Sequence, residues 1–153
     1  MKALVNYTDL IPELKDWNNG AGIDIDSWIG CVGNYEHFIA YGHLLWPDFI
    51  EYDDCVFFAD GFTEENYRGF MDRTHGNKRA VETVMNHQHI MTLFMSAEPK
   101  PSREMILYVG RMMKDVWRTK LSRDFPDRKI TVSFPEDHED DLMNYEVSFF
   151  QER

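Results

Sequence analysis

The sequence has few cysteines and no long apolar run. Cys31 and Cys55 are too few for the disulfide framework of a small secreted protein, and their apolar neighbours favour two buried, reduced thiols. No stretch approaches the roughly 18 apolar residues of a membrane span, and the apolar run near the N-terminus is too short for a signal peptide. We therefore expect a cytoplasmic protein that does not bind membranes.

Motifs that carry enzyme chemistry are also missing. There is no Gly-x-Ser-x-Gly nucleophile motif, and the glycines at 20, 22, 30 and 33 match neither common nucleotide-binding pattern. Neither cysteine has a basic neighbour in sequence that would activate it as a nucleophile. The sequence therefore predicts no catalytic residue and no cofactor, and a binding protein rather than an enzyme.

The composition is that of one well-packed domain covering residues 1–153. A chain of this length with 43% hydrophobic and 14% aromatic residues buries enough surface to fold without a metal or a disulfide. The absence of repeats, low-complexity segments and linkers agrees with a single domain. We predict an α+β fold in which five to six helices pack on a small, mainly antiparallel sheet that includes a C-terminal strand pair.

Apolar periodicity and capping residues place these elements. Helical spacing, bounded by capping residues or proline, predicts helices over 9–17, after Asp24 or Asp26, and over 35–46, 63–72, 77–86 and 102–124. Short β-rich or alternating patterns predict strands over 55–58, 129–134 and 145–149. The last two predicted strands form the C-terminal pair.

Charge is distributed unevenly along the chain. The net charge is −11; residues 1–66 carry 13 acidic and 2 basic residues, and residues 135–153 carry 7 and 1. Arginines and lysines in the middle, several on the predicted helix over 102–124, are an alternative nucleic-acid-binding stripe. An overall acidic surface repels phosphates, so we favour a solvated face, or one neutralised by the acidic tail, and predict no nucleic-acid partner.

Two acidic segments are the predicted contact sites for a basic protein partner. In the first, carboxylates alternate with aromatic side chains, an arrangement that suits contact with arginine or lysine on a partner. The second is a run of acids in the loop before the last strand. The predicted partner-binding residues are Asp48, Glu51, Tyr52, Asp53 and Asp54 in the first segment and Glu136, Asp137, Glu139, Asp140 and Asp141 in the second.

A weaker alternative is a metal site formed by Glu82, His87 and His89. Two histidines one residue apart point the same way on a strand and can share a metal ion. The pattern before them is helical, however, and on a helix they would point about 200° apart. We therefore predict no metal, and keep a small enzyme or metal-binding domain as the second hypothesis and a homo-oligomeric structural protein as the third.

Size, acidic charge and the segment Trp46-Pro47-Asp48-Phe49 give the chain a resemblance to the bacterial immunity proteins that neutralise toxins of neighbouring cells. These proteins differ widely in fold, so the resemblance assigns no residue roles. It implies tight binding to a cationic toxin domain, often a nuclease, by occupation of the toxin's basic cleft.

Overall fold

The computed structural model describes residues 6–137 and 141–153, and over these residues the chain has an α+β fold. The described helices are α1 (Tyr7–Leu10), α2 (Glu13–Asp16), α3 (Ile25–Val32), α4 (Tyr35–Leu45), α5 (Glu64–Arg73), α6 (Lys78–Met85), α7 (Ile90–Leu93) and α8 (Arg103–Asp124). The described strands are β1 (Phe49–Tyr52), β2 (Cys55–Phe58), β3 (His87–His89), β4 (Ile130–Ser133) and β5 (Glu146–Gln151). The α+β prediction is confirmed, although the eight described helices outnumber the five to six predicted.

Capping side chains define where the longer helices begin. In each case a short polar side chain accepts the backbone N–H of the third residue along, which satisfies a donor that has no partner inside the helix. The capping residues are Asp24 for α3, Asn34 for α4, Thr63 for α5, Asn77 for α6 and Ser102 for α8. The helices predicted from these positions are confirmed, whereas the predicted helix over 9–17 is two short ones, α1 and α2.

Strands β1 and β2 form an antiparallel hairpin closed by a two-residue turn. Asp53 and Asp54 occupy this turn with φ values of 47° and 61°, a left-handed conformation that aspartate tolerates better than most residues. The predicted strand over 55–58 is therefore present. Its partner, β1, was not predicted, and the hairpin is a sheet separate from the one formed by the C-terminal strands.

The second sheet has the order β3-β5-β4 with both pairs antiparallel. The predicted C-terminal strand pair is confirmed, and Val132 lies opposite Phe149 in its register. Strand β3 corrects the helical interpretation of residues 87–89, because the chain leaves α6 at Asn86 and pairs with β5 at once.

The main core lies between α8 and the three-stranded sheet. Ile106, Met113 and Trp117 on the buried face of α8 are at most 1% exposed and belong to one cluster with Val147 and Phe149 of β5. A second cluster joins the β1–β2 hairpin to α5 and α6. No helix in the described ranges is long and apolar enough to cross a membrane.

Helix α6 connects the two sheets through polar side chains. Glu82 is fully buried, and its carboxylate accepts hydrogen bonds from the backbone N–H of Val56 in β2 and of Gln151 in β5. Asn86, one turn later, accepts from the N–H of Phe58 and donates to the carbonyl of Val56. These two side chains thus satisfy backbone groups of both β2 and β5.

Candidate functional site

The largest exposed apolar side chains cluster on α3 and α4. We call Ile29, Val32, Tyr35, Phe38 and Ile39 the α3–α4 surface. Tyr35, Phe38 and Ile39 are 89%, 76% and 70% exposed, and every residue from 31 to 40 is exposed. Large apolar side chains are more often buried, so their grouping on two successive helices is a candidate interaction surface.

The periodicity of α4 explains why these side chains face solvent. Leu44 lies on the core side of the helix, and its carbonyl accepts a hydrogen bond from the indole N–H of Trp117 at 3.0 Å. Tyr35, Phe38 and Ile39 step by three and four residues along the opposite side. Helix α4 is therefore apolar on two faces, and the core covers only one.

Helix α3, which directly precedes α4, carries further exposed apolar side chains. Ile29 and Val32 lie one turn apart on the same side of α3 and are 51% and 47% exposed. Gly33 and Asn34 alone separate α3 from α4. A Cβ atom on Gly33 would lie 2.4 Å from the carbonyl oxygen of Ile29, so the tight end of α3 depends on glycine.

An acidic cleft of about 340 Å³ lies at the C-terminal end of α4. Asp48 and Asp60 line it together with His43, whose Nε2 is 2.6 Å from the Asp60 carboxylate. Its lining residues include no lysine or arginine, and Trp117 and Phe58 form part of its wall. Ile39 and His43 are one turn apart, so the α3–α4 surface reaches the edge of this cleft.

The first predicted acidic segment is divided by the fold. Asp48 lies in the acidic cleft, whereas Glu51, Asp53 and Asp54 lie at the far end of the hairpin. We call these three residues the acidic turn. Across a four-residue strand this separation is about 13 Å.

Basic side chains of the same chain neutralise the acidic turn. Glu51 and Asp54 both pair with Arg128, at 2.5 Å and 3.1 Å, and Asp54 also pairs with Arg153 at 2.9 Å. Asp53 accepts a hydrogen bond from the Tyr67 hydroxyl at 2.5 Å and pairs with Lys78 at 3.1 Å.

These contacts lower the pKa values of both aspartates. Hydrogen bonds from Arg153 and Arg128 lower the pKa of Asp54, and the hydrogen bond from Tyr67, followed by that from Lys78, lowers the pKa of Asp53. Burial, followed by the hydrogen bond to Asp53, raises the pKa of Tyr67. Tyr52 is half-buried and packs against Phe62 and Tyr67, so its ring supports the hairpin.

The second predicted acidic segment is only partly described. Glu136 forms a two-point ion pair with Arg111, with distances of 3.0 Å and 2.6 Å, and Asp141 caps the short 3₁₀ helix Leu142–Asn144. Asp137 is exposed, while Glu139 and Asp140 lie outside the described residues. Contacts of Glu136 with Tyr145 and of Asp54 with Gln151 place the two acidic segments near opposite ends of β5, about 20 Å apart.

The structure brings together two of the three residues in the weaker metal alternative. His87 and His89 lie on β3, and their ring centroids are 5.1 Å apart. Glu82 does not join them, because its buried carboxylate accepts the hydrogen bonds from Val56 and Gln151 described above. Glu146 of β5 takes the place predicted for Glu82 and lies opposite His89 in the sheet.

The two cysteines have different environments. Cys55 is fully buried as predicted, and burial raises the pKa of its thiol to about 11. Cys31 is exposed on α3, which contradicts the prediction that both thiols are buried. Its apolar neighbours in sequence, Ile29 and Val32, are themselves exposed and provide no core to bury it.

Comparison of the chain with protein-family models, curated proteins and solved structures finds no match.

The α3–α4 surface was not predicted from the sequence, in which the apolar residues of α4 served only to predict a helix. The detectable signal was their number. Tyr35, Phe38 and Ile39 in the first two turns, together with Leu44 and Leu45 in the last turn, give α4 more apolar surface than one core contact covers. Charge adds a second signal, since the sequence has no lysine or arginine from residue 16 to residue 67.

Proposed function

We propose that the protein is an inhibitory binding protein of the immunity type, which neutralises a basic toxin or effector domain in the cytoplasm. The contact is made by the α3–α4 surface together with the acidic cleft. The observation that carries the proposal is the exposure of Tyr35, Phe38 and Ile39 on a helix that is anchored to the core by its opposite side. Large aromatic side chains held on a rigid element are the usual energetic centre of a protein interface.

Charge supports a basic partner. Asp26 and Glu36 are exposed beside the apolar residues of α3 and α4, and Asp48 and Asp60 line the neighbouring cleft. The segment from residue 16 to residue 67 contributes no lysine or arginine to oppose them. A guanidinium or ammonium group of the partner fits the cleft, because two carboxylates and aromatic walls stabilise a cation there.

The acidic turn has a smaller role in this proposal than the sequence predicted. Glu51, Asp53 and Asp54 already pair with Arg128, Lys78 and Arg153. A partner would have to displace these internal cations before it could use the carboxylates. We therefore expect Asp48 and the exposed acids of α3 and α4 to provide most of the long-range attraction for a basic partner.

The experiment captures binding partners from the native host with the wild-type chain and with the double variant Phe38→Ala/Ile39→Ala. Met95→Ala is the matched control, since Met95 is also an exposed apolar residue, 67% exposed, but lies outside the α3–α4 surface. Each purified partner is titrated against all three proteins. Truncation of two central anchors is expected to weaken binding by at least about 30-fold, equivalent to about 2 kcal/mol, while the control leaves it unchanged.

Charge and inhibition are tested on the same purified partner. Asp48→Asn/Asp60→Asn is expected to slow association, and the wild-type association rate is expected to fall as salt rises. Growth arrest by the partner should be relieved by co-expression of the wild-type chain and not of the Phe38→Ala/Ile39→Ala variant. Complex formation should protect the exposed thiol of Cys31 from chemical modification, which reports where the partner binds. Cys55 is buried, so it does not interfere with this measurement.

Three outcomes would overturn the proposal. One is a captured partner that binds the double variant as tightly as the wild type. Another is an acidic partner with salt-independent association. The third is that the chain itself dimerises through the α3–α4 surface, which would show as a doubled mass in solution that the double variant abolishes.

A further inference from the structure

We propose that His87, His89 and Glu146 form a site for a divalent transition metal of the Zn²⁺ class, with an open coordination position. The candidate ligand atoms of these three side chains all lie within 4.8 Å of one another. The three ligands lie on β3 and β5 rather than on α3 and α4, although His87 also lines the acidic cleft.

The sheet places the three side chains on one face. His87 and His89 are two residues apart on β3, so both point to the same side of the sheet. Glu146 of β5 lies directly opposite His89 in the antiparallel register. His89 Nε2 is 3.4 Å from the Glu146 carboxylate, close to the spacing of two atoms that share a tetrahedral metal ion.

Backbone carbonyls determine which ring nitrogen carries the hydrogen in both imidazoles. His87 Nδ1 is 2.6 Å from the carbonyl oxygen of Val84, and His89 Nδ1 is 3.1 Å from that of Met143. A carbonyl oxygen can only accept, so each Nδ1 carries the hydrogen. In the neutral imidazole this leaves the lone pair on Nε2, the arrangement that orients metal-binding histidines in proteins.

The donor set selects the class of metal. Two imidazole nitrogens and one carboxylate oxygen form a common ligand set of zinc sites that keep a fourth position open, whereas Mg²⁺ and Ca²⁺ prefer oxygen ligands. His87 is exposed, so a rotation of its side chain can bring Nε2 from its present position to a bonding distance of about 2 Å. His89 and Glu146 are half-buried and need less movement.

A groove gives the fourth position access to solvent. It has a volume of about 530 Å³ and is lined by His87, Glu146 and residues of α6. Arg79 is the cation that lines this groove, and its guanidinium pairs with Glu152 at 3.3 Å and lies 4.3 Å from the centre of the Phe150 ring. These contacts direct its charge towards Glu152 and away from the metal ligands.

The test is a titration of the untagged, metal-free protein with Zn²⁺ in competition with a chelator of known affinity. We expect one ion per chain, and at least a tenfold loss of affinity in each of the variants His87→Ala, His89→Ala and Glu146→Gln. His37→Ala is the matched control. His37 is exposed on α4, away from the three ligands in the chain, so this change should leave the affinity for Zn²⁺ unaltered. Mg²⁺ in excess should not compete.

A second readout separates a metal site from a structural role of the same residues. Co²⁺ added in place of Zn²⁺ should give the visible absorption of a four- or five-coordinate cobalt site, and each ligand variant should abolish it while retaining the wild-type circular dichroism. Zn²⁺ should also raise the unfolding temperature of the wild type, because it links β3 to β5. Binding of less than one ion per chain, or binding unchanged in His89→Ala and Glu146→Gln, would overturn the proposal.

Discussion

Glu82 accepts two hydrogen bonds from Gln151, one from its backbone N–H at 3.0 Å and one from its side-chain amide at 2.6 Å. The same carboxylate accepts the N–H of Val56 at 2.9 Å, so a helix and two sheets meet at one buried acid. The nearest cation is Arg153, at 3.7 Å from the carboxylate. The acid therefore depends on hydrogen bonds more than on a close ion pair.

Replacement of this acid should destabilise the fold. In Glu82→Gln, an amide N–H₂ replaces one carboxylate oxygen and faces backbone donors, which leaves a buried N–H without an acceptor. We expect the free energy of unfolding to fall by about 1–3 kcal/mol, measured by urea denaturation. Glu65→Gln is the control, because Glu65 is exposed on α5 and should change stability by less than about 0.5 kcal/mol. Equal stability of the two variants would show that the buried acid is dispensable.

Gly110 of α8 should not tolerate alanine, although alanine is the better helix former. A Cβ atom at this position would lie 2.1 Å from Cζ of Phe134, whose buried ring packs on the helix backbone. The overlap costs about 1–3 kcal/mol, against a gain of about 1 kcal/mol in helix propensity, so Gly110→Ala should destabilise the protein.

Gly69→Ala provides the matched control for this change. Gly69 lies inside α5, and a Cβ atom there meets nothing within 4 Å. This variant should raise the unfolding free energy by up to about 1 kcal/mol, because only helix propensity changes. Thermal and urea unfolding of both variants should therefore shift in opposite directions, and a stabilised Gly110→Ala would contradict the packing of Phe134.

The acidic turn should make stability depend on pH on the acid side. Arg153 and Arg128 lower the pKa of Asp54 in the folded chain, so the folded state binds the proton less readily than the unfolded state. The ion pairs of Asp54 therefore stabilise the fold at pH values above the pKa of about 4 that aspartate has in the unfolded chain. This stabilisation is lost as the pH falls through the lower pKa of Asp54 in the folded chain. Asp54→Asn removes this contribution and keeps a residue that tolerates the left-handed turn.

The measurement is the urea midpoint of wild type and Asp54→Asn between pH 7 and pH 2. The wild type should be the more stable at pH 7, and the difference should shrink below about pH 4. Asp127→Asn serves as the control, because Asp127 is an exposed acid with no ion pair in the described ranges. A difference that stays constant over the whole pH range would show that the Asp54 ion pairs do not stabilise the fold.

Local signals account for the parts of the fold that the sequence predicts correctly. Thr63, Asn77 and Ser102 are capping residues whose effect extends over one turn, and α5, α6 and α8 begin one residue after them. The alternation of residues 145–149 likewise depends only on neighbours along the strand. In both cases, the residues that determine the element lie within a few positions of one another in the sequence.

The parts that could not be predicted depend on distant partners. His87–His89 continue a helical pattern and become a strand only because β5, almost sixty residues later, pairs with them. Asp54 pairs with Arg128 and Arg153, which are 74 and 99 residues away, so its neutralisation has no local signal. The β1–β2 hairpin was the avoidable omission, since two turn residues between β-rich runs predict it.

The exposed stretch from residue 31 to residue 40 has a consequence for how the protein can change. Since Tyr35, Phe38 and Ile39 add nothing to either core, substitutions there carry little folding cost, whereas Trp117 and Phe149 can hardly be altered. In the proposed binding role, recognition and folding thus depend on different residues. A library randomised at these three positions should remain folded throughout, so the proposed binding specificity can change without changes to the buried core.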